Sequence, residues 1–256
     1  MAKKEVKNAF GAVANEYQKK ANVQRRVAGQ LAERISGFDL PEKPRILEIG
    51  CGTGFLSQHL LKRWPDATIV CSDIAPQMVS SCKANLYGFD KSRVSFVVMD
   101  GENITGDDKY DLIVSSLVFQ WFSDPLANLV KLTSRLNHNG RLAFVTLGEE
   151  TFNEWRGFCA EYQIACGLHN YPTKDAWQSS WPIDGVGEVD VARVMEEHPS
   201  PQNFLRGLKQ IGTGLSKKGH SPVSIVELRR ALSEYSNKNN SFSITYHLIF
   251  GSFIKN

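Results

Sequence analysis

Residues 46–54 read ILEIGCGTG, an apolar run that leads into three glycines on alternate positions. The run Arg45–Ile49 predicts a buried strand, and the helical spacing of apolar side chains in Phe55–Trp64 predicts a helix directly after the loop. Glycine accepts left-handed backbone angles and lets another group approach the chain closely. A strand, a glycine loop and a helix in this order predict a ligand site at the first turn of an α/β sheet.

Strand and helix signals alternate through residues 45–148, which predicts a doubly wound, mostly parallel α/β sheet. The flanks differ from this core. Residues 3–36 predict one or two amphipathic helices, and residues 149–200 are aromatic-rich and irregular. Residues 222–235 predict a helix, and Phe242–Ile254 predicts a late strand. The predicted core strands are Arg45–Ile49, Thr68–Cys71, Val94–Met99, Asp111–Ser115 and Arg141–Leu147, and the predicted core helices are Phe55–Trp64, Ala75–Tyr87 and Pro125–Leu136, the last ending at a turn at Asn137–Gly140.

The composition is that of a folded globular protein, with 256 residues of which 42% are hydrophobic and 22% are charged. No apolar run approaches the roughly 20 residues that span a bilayer, and the N-terminus lacks the apolar segment of a signal peptide. We therefore expect a cytoplasmic protein without a membrane partner. The five cysteines form no C-x-x-C pair and the histidines have no metal-ligand spacing, so we expect free thiols and no metal site.

The net charge of +3 is unevenly distributed along the chain. Residues 1–36 carry eight Lys or Arg and three Glu, and residues 202–256 carry eight Lys or Arg and two Glu, whereas residues 37–201 are acidic. Solvated helix faces explain such a pattern, and so does a positive surface that both ends form for an acidic partner. A nucleic-acid partner is disfavoured, because the acidic middle repels phosphate and the basic residues form no stripe with aromatic ones.

The chemistry of the loop separates two classes of cofactor. A dinucleotide loop has the pattern G-x-G-x-x-G or G-x-G-x-x-A, but counting from Gly50 puts Phe55 where the third small residue belongs. Glu48 also places an acid where a pyrophosphate would be repelled. The pattern E-x-G-x-G-x-G suits S-adenosylmethionine instead. The glycines admit its methionyl part, and Glu48 supplies negative charge near its cationic end, directly or by ordering the loop.

Two further acids stand at the ends of neighbouring predicted strands, where such folds bind ligands. Asp73 ends the second strand and can accept both ribose hydroxyls. Asp100 ends the third strand and can accept from the adenine amino group, and Gly101 allows close approach there. We therefore predict that the protein binds S-adenosylmethionine and releases S-adenosylhomocysteine. The predicted cofactor residues are Glu48, Gly50, Cys51, Gly52, Gly54, Asp73, Ile74, Met78, Asp100, Gly101, Glu102 and Ser115.

This set of residues resembles the class I S-adenosylmethionine-dependent methyltransferase family over residues 45–148. The resemblance implies a seven-stranded sheet whose last strand is antiparallel, and residues 242–254 are the candidate for that strand. It also implies an enzyme, although a protein that binds the cofactor without catalysis would keep the same residues.

Three other stretches concern the methyl acceptor: residues 6–31, residues 115–125 (SSLVFQWFSDP), and the pair 208–214 and 244–255. Together with the core they resemble the malonyl-acyl-carrier-protein O-methyltransferase family of biotin synthesis, nearly end to end. The resemblance implies methylation of the free carboxylate of a malonyl thioester on acyl carrier protein, an acidic partner. The pair Gln120–Trp121 also resembles carboxyl methyltransferases of free small diacids, of the trans-aconitate type, and this alternative stays open.

The same resemblance implies an organisation of the chain and a set of site residues. We expect a helical lid at residues 1–40, a cofactor-binding core at residues 41–148, and a substrate-side insertion with the last strands at residues 149–256, which completes the same domain. Tyr17 is the first candidate for a catalytic residue over the reacting centre, and Gln120 is the candidate donor to the thioester carbonyl or the cofactor. The candidates for contact with the malonyl carboxylate or the carrier protein are Arg26, Arg206, Lys209, Lys217 and Lys218.

Overall fold

The computed structural model describes residues 3–214, 216–217, 219–220 and 223–256. The helices are α1 (Lys3–Lys20), α2 (Asn22–Ile35), α3 (Phe55–Arg63), α4 (Pro76–Asn85), α5 (Asn128–Ser134), α6 (Asn153–Glu161), α7 (Lys174–Gln178), α8 (Pro201–Gln210) and α9 (Ile225–Lys238). The strands are β1 (Arg45–Ile49), β2 (Thr68–Asp73), β3 (Val94–Val98), β4 (Tyr110–Ser116), β5 (Leu136–Leu147), β6 (Gly185–His198) and β7 (Phe242–Lys255). None of the helices within these described ranges is long and apolar enough to cross a bilayer.

In the described part of the chain, seven strands form one sheet in the order β3-β2-β1-β4-β5-β7-β6. Strands β1 to β5 run parallel, whereas β7 lies antiparallel between β5 and β6. The strand order reverses between β1 and β4, and such a reversal opens a crevice at the carboxyl ends of the strands. The predicted doubly wound sheet and its antiparallel last strand are confirmed.

Helices cover both faces of the sheet, so its central strands are almost entirely buried. In β1, Ile46 packs with side chains of α2 and α3 on one face. Leu47 and Ile49 pack with side chains of α5 on the other face. Because side chains alternate along a strand, Glu48 lies on the same face as Ile46, beneath α3.

The predicted boundary between the helix Pro125–Leu136 and the turn Asn137–Gly140 is wrong. Helix α5 ends earlier, and β5 already begins at Leu136, which pairs with Tyr110. Asn139 takes a left-handed φ of 61° within this strand, and the register between β4 and β5 shifts beside Tyr110. The polar run is therefore an irregular start of the strand rather than a turn that precedes it.

Residues 149–200 are not irregular, contrary to the prediction. They contain α6, α7 and the 14-residue strand β6, which pairs with β7 along its whole length. Strand β6 is the edge of the sheet and carries charged residues such as Glu188, Asp190 and Arg193. Charged side chains on an edge strand oppose pairing with other chains, and they also interrupt the apolar alternation by which a strand is predicted.

The predicted N-terminal helical region consists of two helices, and the first lies against α4 and α8. The apolar face of α1 contributes Ala14 and Tyr17 to a small cluster with Met78 of α4 and Ile211 after α8. Gln18 also accepts a hydrogen bond of 2.6 Å from Thr53 in the glycine loop. Helix α1 is therefore fixed beside the loop that follows β1.

Glu48 is the buried acid of the central strand. Its side chain is 1% exposed and accepts a hydrogen bond from Ser57 of α3. The Ser72 hydroxyl donates to the Glu48 carbonyl at 2.8 Å, which ties β2 to β1. Burial raises the pKa of Glu48 from 4.5 to about 8. The carboxyl group is therefore mostly protonated in neutral solution.

We expect the Glu48→Gln variant to lose part of the pH dependence of stability. An acid with a raised folded pKa stabilises the fold fully below its unfolded pKa, and this contribution is lost as pH rises through the folded pKa. Between pH 4.5 and about 8, the free energy of unfolding of the wild type should therefore fall relative to that of the variant. The slope of this difference reaches at most about 1.4 kcal/mol per pH unit.

Urea unfolding across this pH range measures the difference, with the exposed Glu42→Gln variant as the matched control. Parallel pH profiles for the wild type and Glu48→Gln would contradict the prediction.

Candidate active site

A cleft opens next to the glycine loop, at the carboxyl ends of the parallel strands. The loop, the ends of β2 and β3 and the turn after β4 form three of its walls, and α1 forms the fourth. We call this space the glycine-loop cleft. Its position matches the crevice that the reversal of strand order predicts.

The conformation of the loop explains its first two glycines. Gly50 and Gly52 have φ angles of 71° and 52°, which other residues rarely adopt. A Cβ on Gly50 would lie 2.1 Å from Cγ2 of Val118, so the loop touches the turn after β4. A Cβ on Gly52 would meet no protein atom within 4 Å. Because Gly52 lines the cleft, this open space is available to a ligand.

Asp73 lines the cleft at the end of β2. Its two carboxylate oxygens accept hydrogen bonds from the backbone N–H groups of Gly52, at 3.0 Å, and Ala75, at 2.8 Å. Burial raises the pKa of Asp73 to about 6, against the lowering effect of these hydrogen bonds. Each oxygen can accept a further hydrogen bond. Asp73 therefore orders the loop and keeps acceptor capacity for the hydroxyl groups of a ligand.

Asp100 and Glu102 line the cleft after β3, and both bind the ammonium group of Lys3 at the start of α1. The Lys3–Glu102 distance is 2.9 Å, and Asn103 donates a further hydrogen bond to Asp100 at 2.8 Å. Burial favours the neutral acid, but the hydrogen bonds from Lys3, the Glu102 N–H and Asn103 outweigh it and lower the pKa of Asp100. Asp100 is therefore an ionised acceptor that α1 and the cleft share.

The predicted cofactor residues divide into two groups. Those that line the cleft are Gly50, Gly52, Asp73, Ile74, Met78, Asp100, Gly101 and Glu102. Those outside its lining are Glu48, Cys51, Gly54 and Ser115.

Each residue of the second group has a structural reason for its place. Glu48 lies beneath α3, on the far side of β1, and Cys51 is packed in the core at 4% exposure. Gly54 starts α3 at a φ of 93°. The Ser115 hydroxyl donates to the Ile49 carbonyl at 2.9 Å, which joins β4 to β1. These four residues therefore lie in or beside the glycine loop without lining the cleft.

An N-terminal lid and Tyr17 were predicted to lie over the site, but the other residues of α1 that line the cleft were not predicted. Lys3, Val6 and Phe10 line the cleft together with Tyr17. Val6, Phe10 and Tyr17 recur at the spacing of a single helix face, so the periodicity of this segment carried the signal. The ligand-facing role of the helix follows from its packing over the sheet.

A second, larger cavity adjoins the cleft between α1, α8, the segment after α6 and β7. Its lining is mainly aromatic and aliphatic, so we call it the apolar cavity. The two cavities share four lining residues, which we call the junction: Phe10, Tyr17, Leu117 and Trp121. The two cavities therefore adjoin at this junction.

Tyr17 lies at the junction, where it is 8% exposed and packs near the rings of Phe10 and Phe55. Burial, and then the charge of Asp73, raise the pKa of the Tyr17 hydroxyl well above its usual value. Tyr17 therefore keeps its proton in neutral solution and can donate a hydrogen bond there. Its catalytic role stays a prediction.

Gln120 lines the apolar cavity, but its amide group already has partners within the protein. Its Nε2 donates to the Leu117 carbonyl at 2.7 Å, and its Oε1 accepts from the Thr146 hydroxyl at 2.9 Å. An amide nitrogen carries two N–H groups. Donation to a substrate by the second N–H stays a prediction.

The basic residues predicted to contact the malonyl group or the carrier protein lie at the surface. Arg26, Arg206, Lys209 and Lys217 are exposed, and Lys218 lies outside the described residues. Lys209 lines the apolar cavity, whereas Arg26 lines neither the cleft nor the apolar cavity. The predicted roles of these residues remain predictions.

The amino-acid sequence of the chain is similar to those of known methyltransferases. A family model described as a methyltransferase domain matches residues 47–142. The malonyl-[acyl-carrier protein] O-methyltransferase of Magnetococcus marinus is 43% identical over 96% of this chain and 90% of that protein. The biotin biosynthesis bifunctional protein BioCD of Bordetella avium is 40% identical over 96% of this chain and 51% of that protein.

Solved structures share the fold at much lower sequence identity. The YcgJ protein of Bacillus subtilis matches with a TM-score of 0.63 at 14% identity, over 90% of this chain and 98% of that chain. This likeness supports the fold alone, whereas the sequence relatives combine high identity with nearly complete coverage. The chain therefore belongs to the malonyl-[acyl-carrier protein] O-methyltransferase family.

Proposed function

We propose that the protein transfers a methyl group from S-adenosylmethionine to the free carboxylate of a malonyl thioester on acyl carrier protein. The product is the malonyl methyl ester with which biotin synthesis starts, and the reaction takes place in the cytoplasm. The observation that carries the proposal is the 43% identity over 96% of the chain to a malonyl-[acyl-carrier protein] O-methyltransferase. The two adjoining cavities support it, because a methyl donor and an acceptor need spaces that meet at one point.

The glycine-loop cleft is the cofactor site. When bound there, S-adenosylmethionine supplies an electrophilic methyl group and is released as S-adenosylhomocysteine. The open space beside Gly52 would hold the methionyl part, Asp73 would accept from the ribose hydroxyls, and Asp100 would accept from the adenine amino group. Because Lys3 binds Asp100, α1 and the cofactor share this acid.

The acceptor needs no general base from the protein. Free carboxyl groups have pKa values of about 4, so the malonyl carboxylate is already ionised in neutral solution. The protein has to align the carboxylate and remove its water. The rings of Phe10, Tyr17 and Trp121 line the junction and would exclude water there when both ligands are bound. The Tyr17 hydroxyl is the candidate donor that orients the carboxylate.

The two basic ends of the chain form the surface for the acidic carrier protein. Helix α1 packs on α8, and a Cβ on Gly212 would lie 2.9 Å from the carbonyl oxygen of Ala9. Lys20 lines a small pocket that shares Leu208 with the apolar cavity, and Lys209 lines the apolar cavity itself. Basic side chains from both ends therefore lie near the cavity that would receive the acyl group.

We expect methyl transfer to depend on the carrier. Purified protein is incubated with methyl-labelled S-adenosylmethionine and either malonyl-carrier protein, malonyl-coenzyme A or free malonate, and label is counted as base-labile methyl ester. The carrier-bound substrate should have the highest kcat/KM, by about tenfold or more, because charge attraction speeds its association. A preference for free malonate would refute the proposed acceptor and leave the cofactor site intact.

We expect cofactor affinity to depend on the ionisation of Asp73. Since its pKa is about 6, the carboxylate gains a proton and loses an acceptor as pH falls below that value. The affinity for S-adenosylhomocysteine, measured by calorimetry, should therefore drop about tenfold from pH 7.5 to pH 5. Asp73→Asn should bind about 10- to 100-fold more weakly at pH 7.5 and show little pH dependence.

The exposed Asp66→Asn variant is the matched control for Asp73→Asn and should behave as the wild type. An unchanged pH profile in Asp73→Asn would show that another group controls binding.

We expect reversal of charge at the basic ends to weaken use of the carrier protein. The triple variant Lys20→Glu, Arg206→Glu and Arg229→Glu should lower kcat/KM for malonyl-carrier protein about 10- to 100-fold at low salt, and by less at high salt. Its affinity for S-adenosylhomocysteine should stay the same, because none of these residues lines the cleft.

The matched control reverses three exposed lysines outside the two basic ends, Lys43, Lys62 and Lys131. Equal losses in the two triple variants would mean that overall charge, rather than a docking surface, determines the rate.

A further inference from the structure

The turn that follows β4 contains a strained residue. Leu117 has a φ of 55°, in the left-handed region that bulky side chains rarely adopt. It follows the last residue of β4 directly and belongs to the junction. A residue in such a conformation persists only where its surroundings hold it.

A chain of hydrogen bonds holds Leu117 in place. Its N–H donates to the carbonyl of Val145 at 2.8 Å, and its carbonyl accepts from Gln120 Nε2 at 2.7 Å. Gln120 Oε1 in turn accepts from the Thr146 hydroxyl at 2.9 Å. Thr146 belongs to β5 and is 1% exposed, so the chain of hydrogen bonds is anchored in the sheet.

The turn also determines where the walls of both cavities lie. Val118, the next residue, is so close to the glycine loop that a Cβ on Gly50 would lie 2.1 Å from it. Trp121, at the end of the turn, packs edge-on against Phe10 of α1 with ring centroids 5.6 Å apart. A change in the backbone of Leu117 would move both contacts, and with them the spacing between methyl donor and acceptor.

We propose that Gln120 is a positioning residue, which holds the turn after β4 in its strained form through the Leu117 carbonyl and thereby aligns the two cavities at the junction. This role requires no contact between Gln120 and a ligand, in contrast to donation to the substrate. Its effect on methyl transfer rests on the proposed function. Its effect on the shape of the glycine-loop cleft does not, because Leu117 and Val118 line that cleft.

A double-mutant cycle separates positioning from direct contact. Gln120→Met removes the amide group at similar size, and Leu117→Gly lets the turn adopt its left-handed angle without support. We expect Gln120→Met alone to lower kcat about 10- to 100-fold with little change in KM for malonyl-carrier protein. In the Leu117→Gly background, Gln120→Met should lower kcat less than about threefold. Glycine adopts the left-handed angle without the hydrogen bond from Gln120.

Thr146→Val is the matched second variant, because it removes only the donor to Gln120 Oε1. Thr146→Val should also lower kcat, and the double variant with Gln120→Met should have the same kcat as Gln120→Met alone. Direct donation by Gln120 Nε2 to the substrate predicts instead that Gln120→Met lowers kcat by the same factor in the Leu117→Gly background. Equal losses from Gln120→Met in both backgrounds would overturn the proposal.

Calorimetry with S-adenosylhomocysteine supplies a readout that needs no methyl acceptor. Gln120→Met should weaken its binding about threefold to tenfold, and in the Leu117→Gly background the same substitution should weaken it less than about twofold. If the wild type methylates no malonyl substrate, the proposed function fails, and the binding cycle still tests the positioning role. Unchanged affinity and unchanged kcat in Gln120→Met would also overturn the proposal.

Discussion

The left-handed backbone of the glycine loop is the constraint on which the rest of the cleft depends. Gly50 and Gly52 take left-handed angles, and their missing side chains leave room for Val118 on one side and for a ligand on the other. The loop is fixed by the hydrogen bond from the Gly52 N–H to Asp73. The acid that would hold the ribose therefore also sets the shape of the loop. Loop geometry and the proposed recognition of the ribose would depend on one carboxylate, so a change in its charge would affect both.

Helix α1 provides one surface for two cavities. Phe10 and Tyr17 line both, while Lys3 near its start binds the acids after β3 and Gln18 near its end binds the loop. These tethers are polar, and the apolar contacts of α1 form only a small cluster. Each tether contributes little net free energy beside the large core of the sheet. Opening α1 is therefore easier than disrupting the sheet, which suits a lid that admits two ligands and then excludes water.

Local pattern explains which parts of the site could be predicted from the sequence. Arg45–Ile49 is a strand with the predicted bounds, and Asp73 and Asp100 line the cleft because the ends of parallel strands meet at one edge. Alternation along β1 could also have placed Glu48 beneath α3. Periodicity marks the apolar face of α1, but the residues of α1 that line the cleft depend on packing between distant segments. Strand β6 was not predicted, because charged residues such as Asp190 interrupt its apolar alternation. The same charges oppose pairing of this edge strand with other chains.

Charged and aromatic groups line different parts of the site, an arrangement that suits the proposed methyl transfer without a general base. The junction consists of three aromatic residues and Leu117, and it contains no carboxylate or ammonium group. A carboxylate brought against such a surface loses water and becomes more reactive, and aromatic faces stabilise a neighbouring positive charge. The ionised groups Lys3 and Asp100 belong to other walls of the cleft, where they pair with each other. In the proposed reaction, recognition and methyl transfer would thus be separated in space, because a charged side chain at the junction would retain the water that the reaction must exclude.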